Sequence, residues 1–215
     1  MINRRRWLAS CTIGLPVPAI LASARAAEPI DEGWIDFVNG RDMSFWKRYG
    51  DSQWRVEDGI LICETEENAP RTRVRSQAPG KWGRLPGHFQ DAEIELEVRF
   101  TGNVDAAIVP RKGGLRLWLG TCGRDPANRT GCWYTGKDFP ESGLAQDVEK
   151  LWKQDDWNAI RILAKAGRFT AWINGHQVSE LEGSDEAFPH NHIELVTGPG
   201  KKMKLEIRNL RARRL

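Results

Sequence analysis

The chain has 215 residues, with 32 lysines and arginines against 29 acidic groups and a formal charge of +3. A mean hydropathy of −0.54 and 28% charged residues exclude a polytopic membrane protein. Arg4, Arg5, Arg6 and Arg25 lie in residues 1–26, which hold no acid. Setting those four aside leaves 28 basic groups against 29 acidic ones, so no basic footprint for nucleic acid remains.

Residues 1–26 read as an export signal. A twin arginine precedes Trp7-Leu8, an apolar stretch runs from Leu8 to Leu21, and Ala24-Arg25-Ala26 offers a small-x-small cleavage site. The apolar stretch is too short, and too interrupted by Pro16 and Pro18, to form a stable membrane span. Cleavage after Ala26 would leave a periplasmic or secreted domain over 27–215, long enough for one sizeable core. Of the four cysteines, Cys11 leaves with the signal. Export favours pairing, and Cys122 and Cys132 flank a Gly/Pro/Asn-rich loop that a disulfide would close. Cys63, in the apolar run Ile60–Cys63, is expected as a buried free thiol.

The chain's 21 glycines, 11 prolines and 10 tryptophans against 3 methionines point to a turn-rich, all-β domain beyond the signal. Gln53–Val56 and Ile60–Cys63 flank Glu57-Asp58-Gly59, a tight hairpin. Ala92–Phe100 alternates, with Ile94, Leu96, Val98 and Phe100 on one face and Glu93, Glu95, Glu97 and Arg99 on the other. Leu115, Leu117 and Leu119 alternate with Arg116 and Trp118. Ser142–Lys153 is the one stretch with helical spacing, predicting a short helix over an open edge. Trp157–Ala164 and Arg168–Ile173 form a hairpin at Lys165-Ala166-Gly167, and Asn174-Gly175 turns the chain again. Ile193–Val196 and Met203–Leu210 supply the last strands. More than ten strands with one short helix predict a two-sheet jelly-roll sandwich.

Phe37-Val38-Asn39-Gly40-Arg41-Asp42-Met43-Ser44-Phe45-Trp46, then Trp54-Arg55-Val56-Glu57-Asp58-Gly59-Ile60-Leu61, resemble the opening of the 3-keto-disaccharide hydrolases. This is a family of bacterial exported domains also described as 3-keto-glucoside lyase/hydratases. The similarity continues through Phe89–Glu97, Thr130–Tyr134, Asp156–Ile160, Ala171–Val178 and Ile207–Arg211. It implies a concanavalin-like jelly roll with a carbohydrate site on one sheet face. The implied substrate is a glycoside already oxidised at C3. The ketone acidifies the C2 hydrogen, a base removes it, the glycosidic oxygen leaves by elimination and water adds to the enone. A divalent metal could polarise the ketone.

The sequence departs from the family pattern where that chemistry sits. Asp105 and Ala106 stand for the family's Asn-Ser, Arg116 and Trp118 for its Glu and Gln, and Gly198 for a histidine. Arg111 keeps the family's arginine and is the first candidate to grip an oxidised sugar. Asp105 and Glu97 are candidate bases. Arg116 and Trp118, with Trp133 and Tyr134 on the following loop, are candidate sugar-stacking and binding residues. His190-Asn191-His192 lacks an acidic third ligand at metal spacing and reads as a strand-entry turn. Two functions follow: elimination or hydrolysis of 3-keto-glycosides, or glycan binding by a catalytically inactive module of the same fold.

Overall fold

The computed structural model describes residues 33–50, 53–76, 91–111, 114–120, 129–183, 192–200 and 202–215. The export signal, Cys122 and His190 lie outside them. The described strands are, in chain order, β1 (Trp34–Asp36), β2 (Trp46–Tyr49), β3 (Trp54–Glu57), β4 (Ile60–Thr65), β5 (Thr72–Ser76), β6 (Ala92–Gly102) and β7 (Asp105–Val109). They continue as β8 (Arg116–Gly120), β9 (Trp133–Tyr134), β10 (Asn158–Lys165), β11 (Arg168–Ile173), β12 (His176–Glu182), β13 (Glu194–Thr197) and β14 (Met203–Arg214). An eight-stranded sheet runs β12-β11-β10-β6-β14-β4-β3, with β1 paired to β14; a six-stranded sheet runs β2-β5-β13-β7-β8-β9. This is the two-sheet jelly roll expected from the alternating strands. Among the described residues no helix is long and apolar enough to cross a membrane.

The alternation sets the layers. Ile94, Leu96 and Val98 of β6, and Leu117 and Leu119 of β8, face inward and join one buried cluster between the sheets. Trp54 fastens the layers: from β3 its indole N–H donates 2.9 Å to Thr72 Oγ1 on β5 of the other sheet. Cys63 is free and buried as expected, and burial pushes its thiol up to about 11. The hairpin turns sit where the sequence puts them. Asp58 and Gly59 both have positive φ, as do Asn174 and Gly175, the pattern of a two-residue hairpin loop.

The expected helix over 142–153 is shorter than its apolar spacing suggested. A 3-10 turn at Glu141–Gly143 and a single helical turn, α1 (Val148–Leu151), are all that form, separated by Asp147 in the left-handed region. Buried Asn158 replaces helical hydrogen bonding there: its Nδ2 donates to Lys153 O and Asp156 O, and its Oδ1 accepts Lys153 N–H. Asn174 Nδ2 donates to Leu151 O and to Asn158 Oδ1. These two family-motif asparagines are therefore scaffolding. So is Asn39, whose Oδ1 accepts the N–H groups of Arg41 and Asp42 to close a turn.

The outer face of the eight-stranded sheet is a lattice of ion pairs and aromatic–cation contacts. Glu93 holds Arg161 and Arg213, Glu95 holds Arg211, Glu97 holds Arg208 and Glu206 holds Arg99. Trp34, Trp157 and Trp172 lie on this face beneath arginines 4.1–4.8 Å from their rings. Burial alone raises the Glu93 carboxyl, but its two arginines outweigh it and leave it below its ordinary 4.5; Glu206 is lowered chiefly by Arg99. A folded value below the unfolded one means that the unfolded chain takes up protons first as acid is added. Stability from these groups is therefore whole above about 4.5 and drains as the pH falls below it. Urea midpoints measured across that range should decline on the acid side and lie flat between pH 5 and 7, on the order-of-magnitude scale usual for carboxylate linkage.

Candidate functional site

The outer face of the six-stranded sheet differs in kind. Its register builds rows of side chains across the strands. Lys47 of β2 lies opposite Arg75 of β5, Arg75 opposite Glu194 of β13, and Glu194 opposite Val109 of β7. Continuing the β7–β8 register places Arg116 beside Val109, and Arg116 is paired with Tyr134 of β9. The next row reads Tyr49, Arg73, Val196, Ala107 and Trp118. Asp105 begins the third row, opposite Gly120.

Of the residues singled out from sequence, this face collects Asp105, Arg116, Trp118 and Tyr134. Arg116 lies 5.6 Å from the Tyr134 ring centroid. Trp118 meets Tyr134 and Phe139 edge-on at 5.6 and 5.4 Å, a small aromatic wall. Arg116 Nε and Trp118 Nε1 are buried donors with no hydrogen-bond partner among the described residues. Burial, then the charge of Arg71, lowers the Arg116 guanidinium from its ordinary value, while Glu194 and Asp105 act the other way.

Three expected site residues stand elsewhere. Arg111 is 1% exposed; its guanidinium lies 5.0 Å from the ring of Phe169, an inward-facing residue of the opposite sheet, with Asp91 at 3.5 Å. It braces the interior. Glu97 is on the outer face of the eight-stranded sheet, its Oε2 accepting Arg208 Nε at 2.5 Å and Asn209 Nδ2 at 3.0 Å. Trp133 is fully buried, packed 5.8 Å from Phe169, because the β8–β9 register sets it opposite inward-facing Leu117. The expected Cys122–Cys132 disulfide is not formed: Cys132 is a free, buried thiol whose Sγ accepts Ala145 N–H at 3.3 Å.

The sequence reading set aside the group that the face holds most firmly. His192 Nε2 and Glu194 Oε1 are 2.9 Å apart, and Arg75 donates to the same oxygen through Nε at 2.7 Å. His192 and Glu194 side chains are each 11% exposed. Burial would raise the Glu194 carboxyl, but hydrogen bonds from His192 and Arg75 outweigh it and bring it to about 2. Glu194 is thus an anion that orients its neighbours. When His192 donates Nε2–H to it, Nδ1 keeps a lone pair, the arrangement of a base held by a carboxylate. An alternating strand with an acid two residues after a histidine was the available signal, since i and i+2 share a face.

Gly198 is where the family pattern has its histidine. A Cβ there would overlap Oδ2 and Cγ of Asp105, whose side chain fills that space. Gly198→Ala should cost about 1–2 kcal/mol by crowding a movable carboxylate. Asp105→Ala introduced with it should remove most of that cost, as a double-mutant cycle of urea midpoints would read. Independent effects of the two changes would contradict the contact.

The divalent metal allowed by the family resemblance does not fit the described residues. No group of three His, Cys, Asp or Glu side chains able to hold one comes together among them. Glu194 already spends its oxygen on Arg75 and His192, and the rest of the face is mostly cationic.

A protein from Parabacteroides distasonis ATCC 8503, provisionally described as a glycosyl hydrolase, has a similar structure: TM-score 0.59 and 16% identity, covering 85% of this chain and 99% of that one. The VIP36 exoplasmic/lumenal domain, in a Ca2+/Man3GlcNAc-bound form, gives a TM-score of 0.59 at 12% identity over 86% of this chain and 89% of its own. The carbohydrate recognition domain of Emp47p gives 0.51 at 14% identity over 86% and 96%. At these identities the likeness shows the fold. Among proteins of curated function, none is similar in sequence to this chain. The family model of the 3-keto-alpha-glucoside-1,2-lyase-like domain matches residues 33–213. With nearly the whole folded domain matched, the chain belongs to that carbohydrate-active family.

Proposed function

We propose that this face cleaves 3-keto-glycosides by elimination, with His192 as base, and that the domain works after export, in the periplasm or outside the cell. The observation that carries the reading is the His192–Glu194–Arg75 cluster standing in one row with Arg116. Two strand spacings, about 10 Å, separate Glu194 from Arg116, room for one sugar ring between base and guanidinium. His192 would take the C2 proton. The electron pair left behind forms an enolate whose C3 oxygen lies against Arg116, a fixed charge where negative charge develops. Collapse of the enolate breaks the C1–O bond, the leaving oxygen takes up a proton from solvent, and water then adds to the enone. Trp118 and Tyr134 offer apolar ring faces to the sugar.

Release of the aglycone from a 3-keto-disaccharide, beside the same disaccharide unoxidised, tests the proposal. Turnover of the keto sugar alone is expected. Equal inertness of both at high enzyme concentration would sink it. The second reading, glycan binding without turnover, is supported by Gly198, which stands where the family has a histidine, and by the aromatic wall. It requires binding of sugar by a chain that turns none over.

A further inference from the structure

The two outer faces of the sandwich treat their cations differently. On the eight-stranded sheet Arg99, Arg161, Arg208, Arg211 and Arg213 each hold a glutamate. On the six-stranded sheet Lys47, Arg73, Arg75 and Arg116 project outward, and Arg71 continues the alternation of Arg73 and Arg75 by one step. Of these five, Arg75 alone has a carboxylate partner among the described residues, namely Glu194. Among the described residues these five cations thus share the face with two carboxylates, Glu194 and Asp105, in a domain that is close to neutral as a whole.

The excess is concentrated at one end. The Tyr49 ring is met by Lys47 at 5.3 Å, Arg73 at 4.6 Å and Arg75 at 5.0 Å. At the other end Arg116 feels the charge of Arg71 strongly enough to depress its own affinity for a proton, after the larger effect of burial. Like charges held together on a face are mutually destabilising, and an anion set among them relieves the repulsion. Guanidinium groups also match carboxylate and sulfate oxygens in geometry.

We propose that the ligand of this face is an acidic glycan, whose carboxylate or sulfate lies over β2 and β5 against Lys47 and Arg73. This rests on reading the face as a sugar site. Three strand spacings, about 14 Å, separate β5 from β8. The anionic group therefore belongs to a sugar residue neighbouring the one held between His192 and Arg116. The cations select a substrate whose chain continues past the reacting bond with a charged unit.

Calorimetric titration of the full chain with tri-galacturonate, its fully methyl-esterified form, a sulfated disaccharide and single-stranded oligothymidylate tests this. The acid or the sulfated sugar should bind at least about tenfold tighter than the ester, with the gap closing as salt is raised. Which of the two binds tighter identifies the anion. Lys47→Gln and Arg73→Gln should each weaken the acid by roughly 3- to 10-fold and leave ester affinity unchanged. Acid and sulfated sugar both binding no tighter than the ester overturns the inference, as does no binding of either, or oligothymidylate bound as tightly as the better of the two. The readout is binding. A chain that prefers the acid yet turns over no 3-keto-disaccharide loses the proposed reaction and keeps this inference; turnover without the preference does the reverse.

Discussion

His192→Gln is expected to lower kcat on a 3-keto-disaccharide by on the order of 10²–10⁴-fold, the usual contribution of a positioned base. Glutamine preserves an N–H donor for Glu194, so the anchor at 2.9 Å and the packing around it can persist. It has no nitrogen lone pair to take the C2 proton. The unfolding free energy read from urea midpoints should therefore change by less than about 1 kcal/mol while single-turnover elimination collapses. Added imidazole should restore part of the rate, which a purely structural role for His192 would not allow. Unchanged kcat in a folded variant would remove His192 from the reaction and leave the glycan-binding reading in front.

Gly120→Ala is expected to destabilise the domain by about 3–5 kcal/mol, through a strained backbone and an overlap with no exit. Gly120 ends β8 at φ +99°, opposite Asp105. A Cβ there would run into the Val104 carbonyl oxygen and lie 2.7 Å from its carbon; both are backbone atoms, which cannot swing aside. The glycine is also fixed by its own hydrogen bonds: its N–H donates to Thr130 Oγ1 at 2.9 Å and its carbonyl accepts Arg129 N–H at 3.2 Å. For a domain of this size the melting temperature should fall by roughly 10 °C. Gly175→Ala is the control. It has a comparable φ of +85° but open space around it, and should cost only about 1 kcal/mol. Similar losses in the two variants would show that the Val104 carbonyl relaxes freely.

The layers of this protein were legible because each strand carries its own two-residue period. Leu115, Leu117 and Leu119 say that Arg116 and Trp118 share a face, and the structure agrees. Period alone does not say what lies across from a face. Glu97 alternates as a strand acid should, but its partner Arg208 is 111 residues away, and only the β6–β14 pairing assigns the carboxylate to an ion pair. Arg111 follows the end of β7, where alternation has stopped, so its turn toward Phe169 had no sequence signal. His192 was weighed as a metal ligand and found to lack acids for that purpose. The acid two residues on is an anchor for the imidazole, a role that needs one carboxylate rather than three. Where the helical spacing of 142–153 misled, tertiary hydrogen bonds from Asn158 and Asn174 prevailed over a weak local preference.

The contact between Asp105 and Gly198 also constrains the order in which this face can change. A side chain gained at 198 while Asp105 keeps its present position is crowded; the same gain after Asp105 has been shortened is not. A lineage could regain a side chain at 198 without loss only where the side chain at 105 is first shortened or turned to another rotamer. The family pattern carries asparagine at 105 together with histidine at 198, which requires the residue at 105 to be aimed elsewhere than Asp105 is here. The two positions are coupled in history as well as in space, through the direction of the side chain at 105 as much as its size.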